Sequence, residues 1–419
     1  MLLLVILQAC AVQHQKVNSL AEWLEFSTPE ATLLSLQLVT PPERDRGQYL
    51  LNTGLLKTIT GDFEDANRDL QNAKSILNAL QATSISENLG AAVVNEALRS
   101  YDGSASERVL LHVLLSINYL MLDNLDAARV EVLQADVVMK ELAREDKPIG
   151  QLASAHYIAG LIYELGGEID DAMISYRKAA NLMALRNMSV PLALKTSLLS
   201  LSQHLGLDQE NIKYREQFSF AVKPPARETA EIIVIYWDGV VTSIRGNSVS
   251  VWVPGLNQTV SLALPYYPPS NYVEKSFDLH IADQDHRTET IEDIEALVRE
   301  DLDDRSAAIH AMALTRMVSK YKLVKGADNQ DNALGLVMNI FTILSEAADT
   351  RSWNMLPSTI QFARFSVPAG EYSLPYPHYV KSQQEELAEV RLAVSVGEKI
   401  VLFVPSVSQR IFSYTQTPP

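Results

Sequence analysis

Three segments in the first half of the chain carry one ladder of small, aromatic and alanine positions, and this repetition limits the fold more than any other feature. In the first, Gly54, Gly61, Phe63, Ala66, Leu70 and Ala73 supply a small residue, a turn glycine, an aromatic, and alanines flanking a large apolar side chain. In the third, Gly160, Tyr163, Gly167, Ile169, Ala172, Tyr176 and Ala179 fall at the same offsets. The second carries Leu115, Ser116, Tyr119, Leu125, Ala128, Val132 and Ala135, with Asp123 in place of the turn glycine. Antiparallel helices approach closely only where the crossing side chains are tiny, and large residues fill the space between turns. Gly61 and Gly167 can take the left-handed conformation that ends a helix. Each segment therefore predicts a helical hairpin that buries its core by stacking on its neighbours. The wide gap between the first two predicts an insertion or a degenerate pair. Residues 191–218, with Gly206 between two helical patterns, read as a closing repeat.

The ladder resembles the tetratricopeptide repeat, whose concave surface is lined by the first helix of each hairpin. The corresponding positions are Leu51, Leu55 and Ile59, then Val113, Ile117 and Leu120, then Tyr157, Leu161 and Leu165. All are apolar or aromatic. A contiguous apolar surface of that kind needs a cover. Two covers are open at this point: a hydrophobic segment of a protein partner, or the chain itself, through a helix over Ser19 to Leu38 or through the second half.

The helical pattern breaks between Val222 and Glu228, where Pro224-Pro225 precedes the β-branched run Glu231 to Trp237. Strands are expected there, at Val249 to Val253 and at Thr259 to Leu264, with the prolines from Pro265 to Pro269 ending the sheet. An acidic helix over Thr290 to Asp301 follows, then helices over Ser306 to Tyr321 and Asp331 to Ala348. Strands return at Ile360 to Val367, Val390 to Val396 and Lys399 to Val404, the last two joined through Gly397. The fold class read from this order is an α-helical, tetratricopeptide-like solenoid over 11–221 followed by an α+β domain with antiparallel strands over 228–419.

Residues 1–10 form a separate expectation. The only cysteine in the chain, Cys10, follows the apolar run Leu2 to Leu7 and the small residue Ala9. Leu7-Gln8-Ala9-Cys10 resembles a lipobox, in which the thiol takes a diacylglyceryl group and becomes the first residue of the mature protein. Ala11 after it, with no Asp, is the outer-membrane address under the usual sorting rule. No Lys or Arg precedes Cys10, so a few residues of signal are expected upstream. The alternative is a greasy first helix of a cytoplasmic protein. A chain with one thiol suits an oxidising compartment. A net charge of −16, with no basic stretch, disfavours nucleic acid as a partner, since such binding rests on clustered Lys and Arg.

Two stretches make a resemblance specific. They are Tyr101-Asp102-Gly103 with Glu107-Arg108 and Ala128-Arg129-Val130-Glu131, and Ala348-Asp349-Thr350-Arg351-Ser352-Trp353 with Leu356-Pro357 and Pro368-Ala369-Gly370-Glu371. With the strand Val260 to Pro265, they make the chain resemble a family of proteobacterial lipoproteins with tetratricopeptide repeats. The resemblance spans most of the chain. It implies an outer-membrane-anchored, periplasm-facing scaffold that binds a protein partner of the cell envelope, near lipoproteins of peptidoglycan synthesis, with no activity established.

Catalytic signatures are few: there is no nucleophile elbow, phosphate-binding glycine loop, paired-histidine zinc helix or cofactor fingerprint. No cofactor and no metal is expected. Asp283, Asp285 and His286 lack the glycine turn and distal Glu of a calcium loop and read as a solvated linker. Asp349, Arg351 and Trp353 read as a structural pair with an indole beside it, or as a polar recognition spot. Glu107, Arg108 and His112 read as one helical turn facing the repeat core. The competing function is a cell-wall-acting enzyme using carboxylates of the second half; a secretion or pilus assembly factor would use the same groove as the scaffold.

Overall fold

Hairpins form where the ladder places them. The computed structural model describes residues 16–84, 100–144, 147–218, 228–253, 258–328, 348–378, 386–408 and 410–417. Cys10 with its apolar run, the insertion at 85–99, the break at 219–227 and the expected helix over 331–347 lie outside the described residues. Helices α1 (16–24) and α2 (Pro29–Gln37) precede the first hairpin, α3 (Arg46–Thr60) with α4 (Phe63–Ser84). The second is α5 (Ala105–Met121) with α6 (Leu125–Leu142), the third α7 (Ala153–Leu165) with α8 (Ile169–Leu185), and the fourth α9 (Leu192–His204) with α10 (Asp208–Phe218). The single helix expected over Ser19 to Leu38 is two, because Thr28 caps a new start: its Oγ1 accepts from Ala31 N at 3.2 Å, with Pro29 opening the helix.

The four hairpin turns share one backbone solution. Gly61, Asp123, Gly167 and Gly206 have φ of 87°, 57°, 78° and 66°, so the aspartate holds the left-handed position that the other hairpins give to glycine. The small positions are equally strict: a Cβ at Gly160 would lie 2.7 Å from the Tyr176 ring. The helical half is a tetratricopeptide-like repeat.

The second half builds a five-stranded sheet from β1 (Thr229–Asp238), β6 (Glu289–Asp293), β7 (Thr359–Pro368), β10 (Lys399–Pro405) and β11 (Phe412–Gln416), in the order β11-β10-β1-β7-β6. Its pairs are antiparallel except β1 with β10, which run parallel, a departure from the all-antiparallel expectation. Three two-stranded hairpins accompany it: β2 (Arg245–Val253) with β3 (Gln258–Tyr266), β4 (Asp278–Ile281) with β5 (Gln284–Arg287), and β8 (Gly370–His378) with β9 (Glu386–Val394). The acidic helix expected from Thr290 begins later: buried Ile291 draws Glu289–Asp293 into a strand on β7, and α11 runs unbroken from Ile294 to Asp328.

Period-two alternation divides the sheet between two cores. Ile233, Ile235, Trp237, Ile360, Phe362, Val401 and Phe403 join one continuous core with helices α1 to α9. Ile232, Val234, Tyr236, Phe365, Val367, Ile400 and Leu402 form a second core with Phe277, Leu279 and Ile281 near β4, and with Leu374, Leu392 and Val394 of β8 and β9. The molecule is thus layered as helices, sheet and hairpins.

Candidate functional site

The inner face of the repeat is filled by the chain itself. Leu51, Leu55, Ile59, Val113, Ile117, Leu120, Tyr157, Leu161 and Leu165 are all buried, none more than 2 % exposed. They share their core with the helix-facing side of the sheet, and Tyr157 and Phe362 lie 4.3 Å apart between ring centroids. An open groove for an external segment is therefore not present at these nine positions. The physical reason is the transfer energy: each such side chain is worth roughly 1.5–3 kcal/mol when taken from water, and tethered parts of the same chain cover them without an encounter cost.

Part of the cover is an extended segment in the place where a repeat protein would hold a peptide. Residues 351–358 are buried throughout and cross the inner ends of α3 and α5. Gln48 of α3 donates from Nε2 to the Ser352 carbonyl at 2.7 Å, and Glu107 of α5 accepts the Trp353 backbone N–H at 2.6 Å. Glu107 also accepts Ser104 N at 2.7 Å and the Tyr101 hydroxyl. Burial pushes the Glu107 carboxyl above its ordinary value, and these donors oppose the rise. Arg351 donates to Asp349 at 2.8 Å from Nε and to Asp45 at 2.9 Å from a terminal nitrogen, tying the segment to the start of α3. The Trp353 indole is 1 % exposed, and its Nε1 has no hydrogen-bond partner among the described residues. Asp349, Arg351 and Glu107 are thus fasteners between the halves.

The turn Glu107, Arg108, His112 does not act as one unit. Glu107 turns to the segment at Trp353, whereas Arg108 lies 3.9 Å from Glu141. His112 meets Glu131 of α6 at 2.7 Å, and Glu131 also accepts Gln71 at 2.8 Å and Lys74 at 2.9 Å from α4. Burial would raise the Glu131 carboxyl, but His112, Lys74 and Gln71 outweigh it and hold it below the usual range. These groups stitch successive hairpins together.

The largest polar joint escaped the sequence reading. Arg364 of β7 is wholly enclosed and donates to Glu164 of α7 at 2.6 and 2.8 Å, to Glu231 of β1 at 2.7 and 2.8 Å, and to Ser197 of α9 at 2.9 Å. Lys399 of β10 reaches Glu164 at 2.5 Å, and Tyr176 donates to it at 2.9 Å. Burial would raise Glu164, but the Arg364 and Lys399 charges dominate and hold it far below the usual carboxylate range. A second missed feature is capping in trans. The N-caps of α7 and α9, Leu152 and Pro191, offer no side-chain bond, and the segment β6–α11 supplies the missing carboxylates. Glu292 accepts Ser154 N at 3.0 Å and its hydroxyl at 3.1 Å, Glu289 accepts Leu192 N, and Asp301 accepts Ser106 N at 2.9 Å on α5. Burial raises Glu292 to about 7, only partly opposed by Ser154.

Asp283, Asp285 and His286 lie at the β4–β5 turn; Asp285 pairs with His280 at 2.7 Å and His286 stacks on Phe365 at 3.7 Å. Among the described residues no three acidic, histidine or cysteine side chains cluster as metal ligands would. A small depression is lined by Val17, Val39, Pro41, Pro42, Asp45, Gln48 and Tyr49, and its one carboxylate, Asp45, already faces Arg351. Apolar residues are also exposed on the outer side of the repeat. There Val130, Leu133 and Val137 form a stripe along α6, with Ile174 on neighbouring α8, each between 41 % and 52 % exposed.

No protein-family model and no curated protein matches the chain. Among solved structures, the apo form of RapI aligns at 11% identity over 45% of this chain and 47% of its own, with a TM-score of 0.35. MamA aligns at 18% identity over 45% of this chain and 85% of its own, TM-score 0.30. A Rap protein complexed with competence and sporulation factor aligns at 13% identity over 48% of each chain, TM-score 0.33. The match spans about half the length of the RapI and Rap chains.

Proposed function

We propose that this chain is a lipoprotein scaffold of the cell envelope, held through Cys10 in the outer membrane facing the periplasm, and that it assembles a protein partner linked to peptidoglycan synthesis. One observation carries the scaffold reading. The repeat's inner face is filled by the chain's own second half, which shares one continuous core with it, while the apolar stripe of α6 and α8 stays exposed. A surface of that kind suits a hydrophobic protein contact held on a rigid support. The lipid anchor rests on Leu7-Gln8-Ala9-Cys10, and the link to peptidoglycan on the family resemblance alone. Three carboxylates of the second half, Glu231, Glu292 and Asp301, are engaged in holding the two halves together.

The experiment is a crosslinking pull-down from envelope membranes with three proteins: the wild type, Cys10→Ala, and Leu133→Glu with Val137→Glu. The expected result is a defined envelope protein captured by the wild type, release of Cys10→Ala from the membrane fraction, and loss of that protein in the α6 variant. If the wild type and Cys10→Ala both remain in the cytoplasm, the lipid anchor is wrong. If the α6 variant captures as much as the wild type, the outer-face assignment is wrong.

A further inference from the structure

The first two helices are apolar on two opposite sides. Inward, Val17, Leu20, Ala21 and Leu24 of α1 and Leu36 of α2 join the core of the repeat. Outward, Leu34 and Leu38 stand four residues apart on one helical face, 65 % and 81 % exposed, and Phe26 in the turn between the helices is 75 % exposed. Trp23, at the end of α1, is 40 % exposed, and its carbonyl accepts the Phe26 N–H at 2.9 Å, which closes the turn. Among the described residues no large apolar side chain is more exposed than Leu38 or Phe26. Apolar exposure grouped in this way marks a contact with protein or with lipid.

Chain connectivity favours lipid. Five residues separate Cys10 from Lys16, where α1 begins, and such a link spans at most roughly 20 Å. With Cys10 acylated, the reading on which this inference rests, α1 and α2 are the first folded surface beyond the acyl chains. An indole beside aliphatic side chains is also the chemistry that settles at a membrane–water boundary. The acidic groups of this hairpin are largely quenched: Glu22 meets Arg245 at 3.0 Å and Glu30 meets Arg410 at 3.4 Å, while burial and the neighbouring Glu22 push the Glu25 carboxyl above its ordinary value. A net charge of −16 would be repelled by an anionic surface but not by a zwitterionic one. We propose that Trp23, Phe26, Leu34 and Leu38 lie in the headgroup boundary of the zwitterionic lipid leaflet that holds the Cys10 anchor, so that the repeat meets the membrane by its α1–α2 end.

The test couples the full chain through Cys10, its only thiol, to a maleimide-bearing phospholipid in vesicles of phosphatidylethanolamine and phosphatidylcholine. The tether is then present whether or not cells acylate Cys10. Acyl chains brominated near the headgroup should quench Trp23, read as the difference in fluorescence between the parent and Trp23→Phe. Phe26→Ser with Leu38→Ser keeps the tether, the indole and the thermal melting of the parent, and it should lower that quenching several-fold. Equal quenching of the parent and Trp23→Phe, or quenching that the double variant leaves unchanged, overturns the proposal. So does a Trp23 that is shielded from acrylamide in the uncoupled chain, which would assign these residues a cover within the protein itself. Failure of the anchor shows separately, as a Cys10→Ala variant that fractionates like the wild type in cells, and it would take this placement with it.

Discussion

The inner and outer faces of the repeat are built from the same helices, yet they follow opposite rules. On the inner face, the large apolar residues are buried in a core shared with the sheet of the same chain, and the charges at that joint, Arg364 of the sheet and Glu107 of α5, are surrounded by partners. On the outer face, polar groups such as His112, Glu131 and Lys74 join neighbouring hairpins, and apolar residues such as Leu133 and Val137 stand in water. The contrast teaches that a solenoid's concave surface is a binding site only while nothing tethered fills it. Here the second half has done so, and apolar residues such as Leu133 and Val137 are exposed on the outer side.

The sharpest way to break that contrast is to unpair the inner joint. Arg364→Ala leaves Glu164 with Lys399 and Tyr176 and strips Glu231 of its Arg364 bonds, and it should cost about 3–5 kcal/mol in denaturant unfolding. A loss below 1 kcal/mol would mean that the halves do not depend on each other. Leu55→Ala, which removes apolar volume from the core shared by the two halves, should cost about 2–5 kcal/mol. The same change at Leu133 on the outside should stay within roughly 0.5 kcal/mol.

Glu292 sharpens the comparison through pH. Its carboxyl titrates near 7 in the folded chain, above the ordinary carboxylate value, so the folded state holds the extra proton. Stability is then greater below the ordinary carboxylate pKa and declines as pH rises through 7, by up to about 3 kcal/mol. Glu292→Gln should flatten that slope between pH 5 and 8 in melting curves, and an unchanged slope would assign it to another group. The smallest effect concerns the hairpin turn: Asp123→Gly relieves a left-handed aspartate and should raise stability by at most about 1 kcal/mol.

Much of this was legible in the residues. The ladder from Gly54 to Ala179 marked three hairpins, Asp123 marked a turn position before its φ was known, and the apolar inner positions announced a surface that must be covered. A finer signal was also present. Alternation puts Arg364 on the face of Ile360 and Phe362, and Glu231 on that of Ile233 and Ile235, so each strand carried a charge on its inward side. Less visible were β8, whose prolines hide a strand, and the carboxylates Glu289, Glu292 and Asp301, which look like an ordinary solvated run.

Local sequence determined the hairpins, their turns and the polarity of each face, because helix ends, close crossings and strand alternation depend on residues a few positions apart. Only the tertiary structure decided what covers the inner face. That outcome turns on contacts such as Glu164 with Arg364 and Glu107 with Trp353, made between residues hundreds of positions apart, which no spacing along the chain encodes.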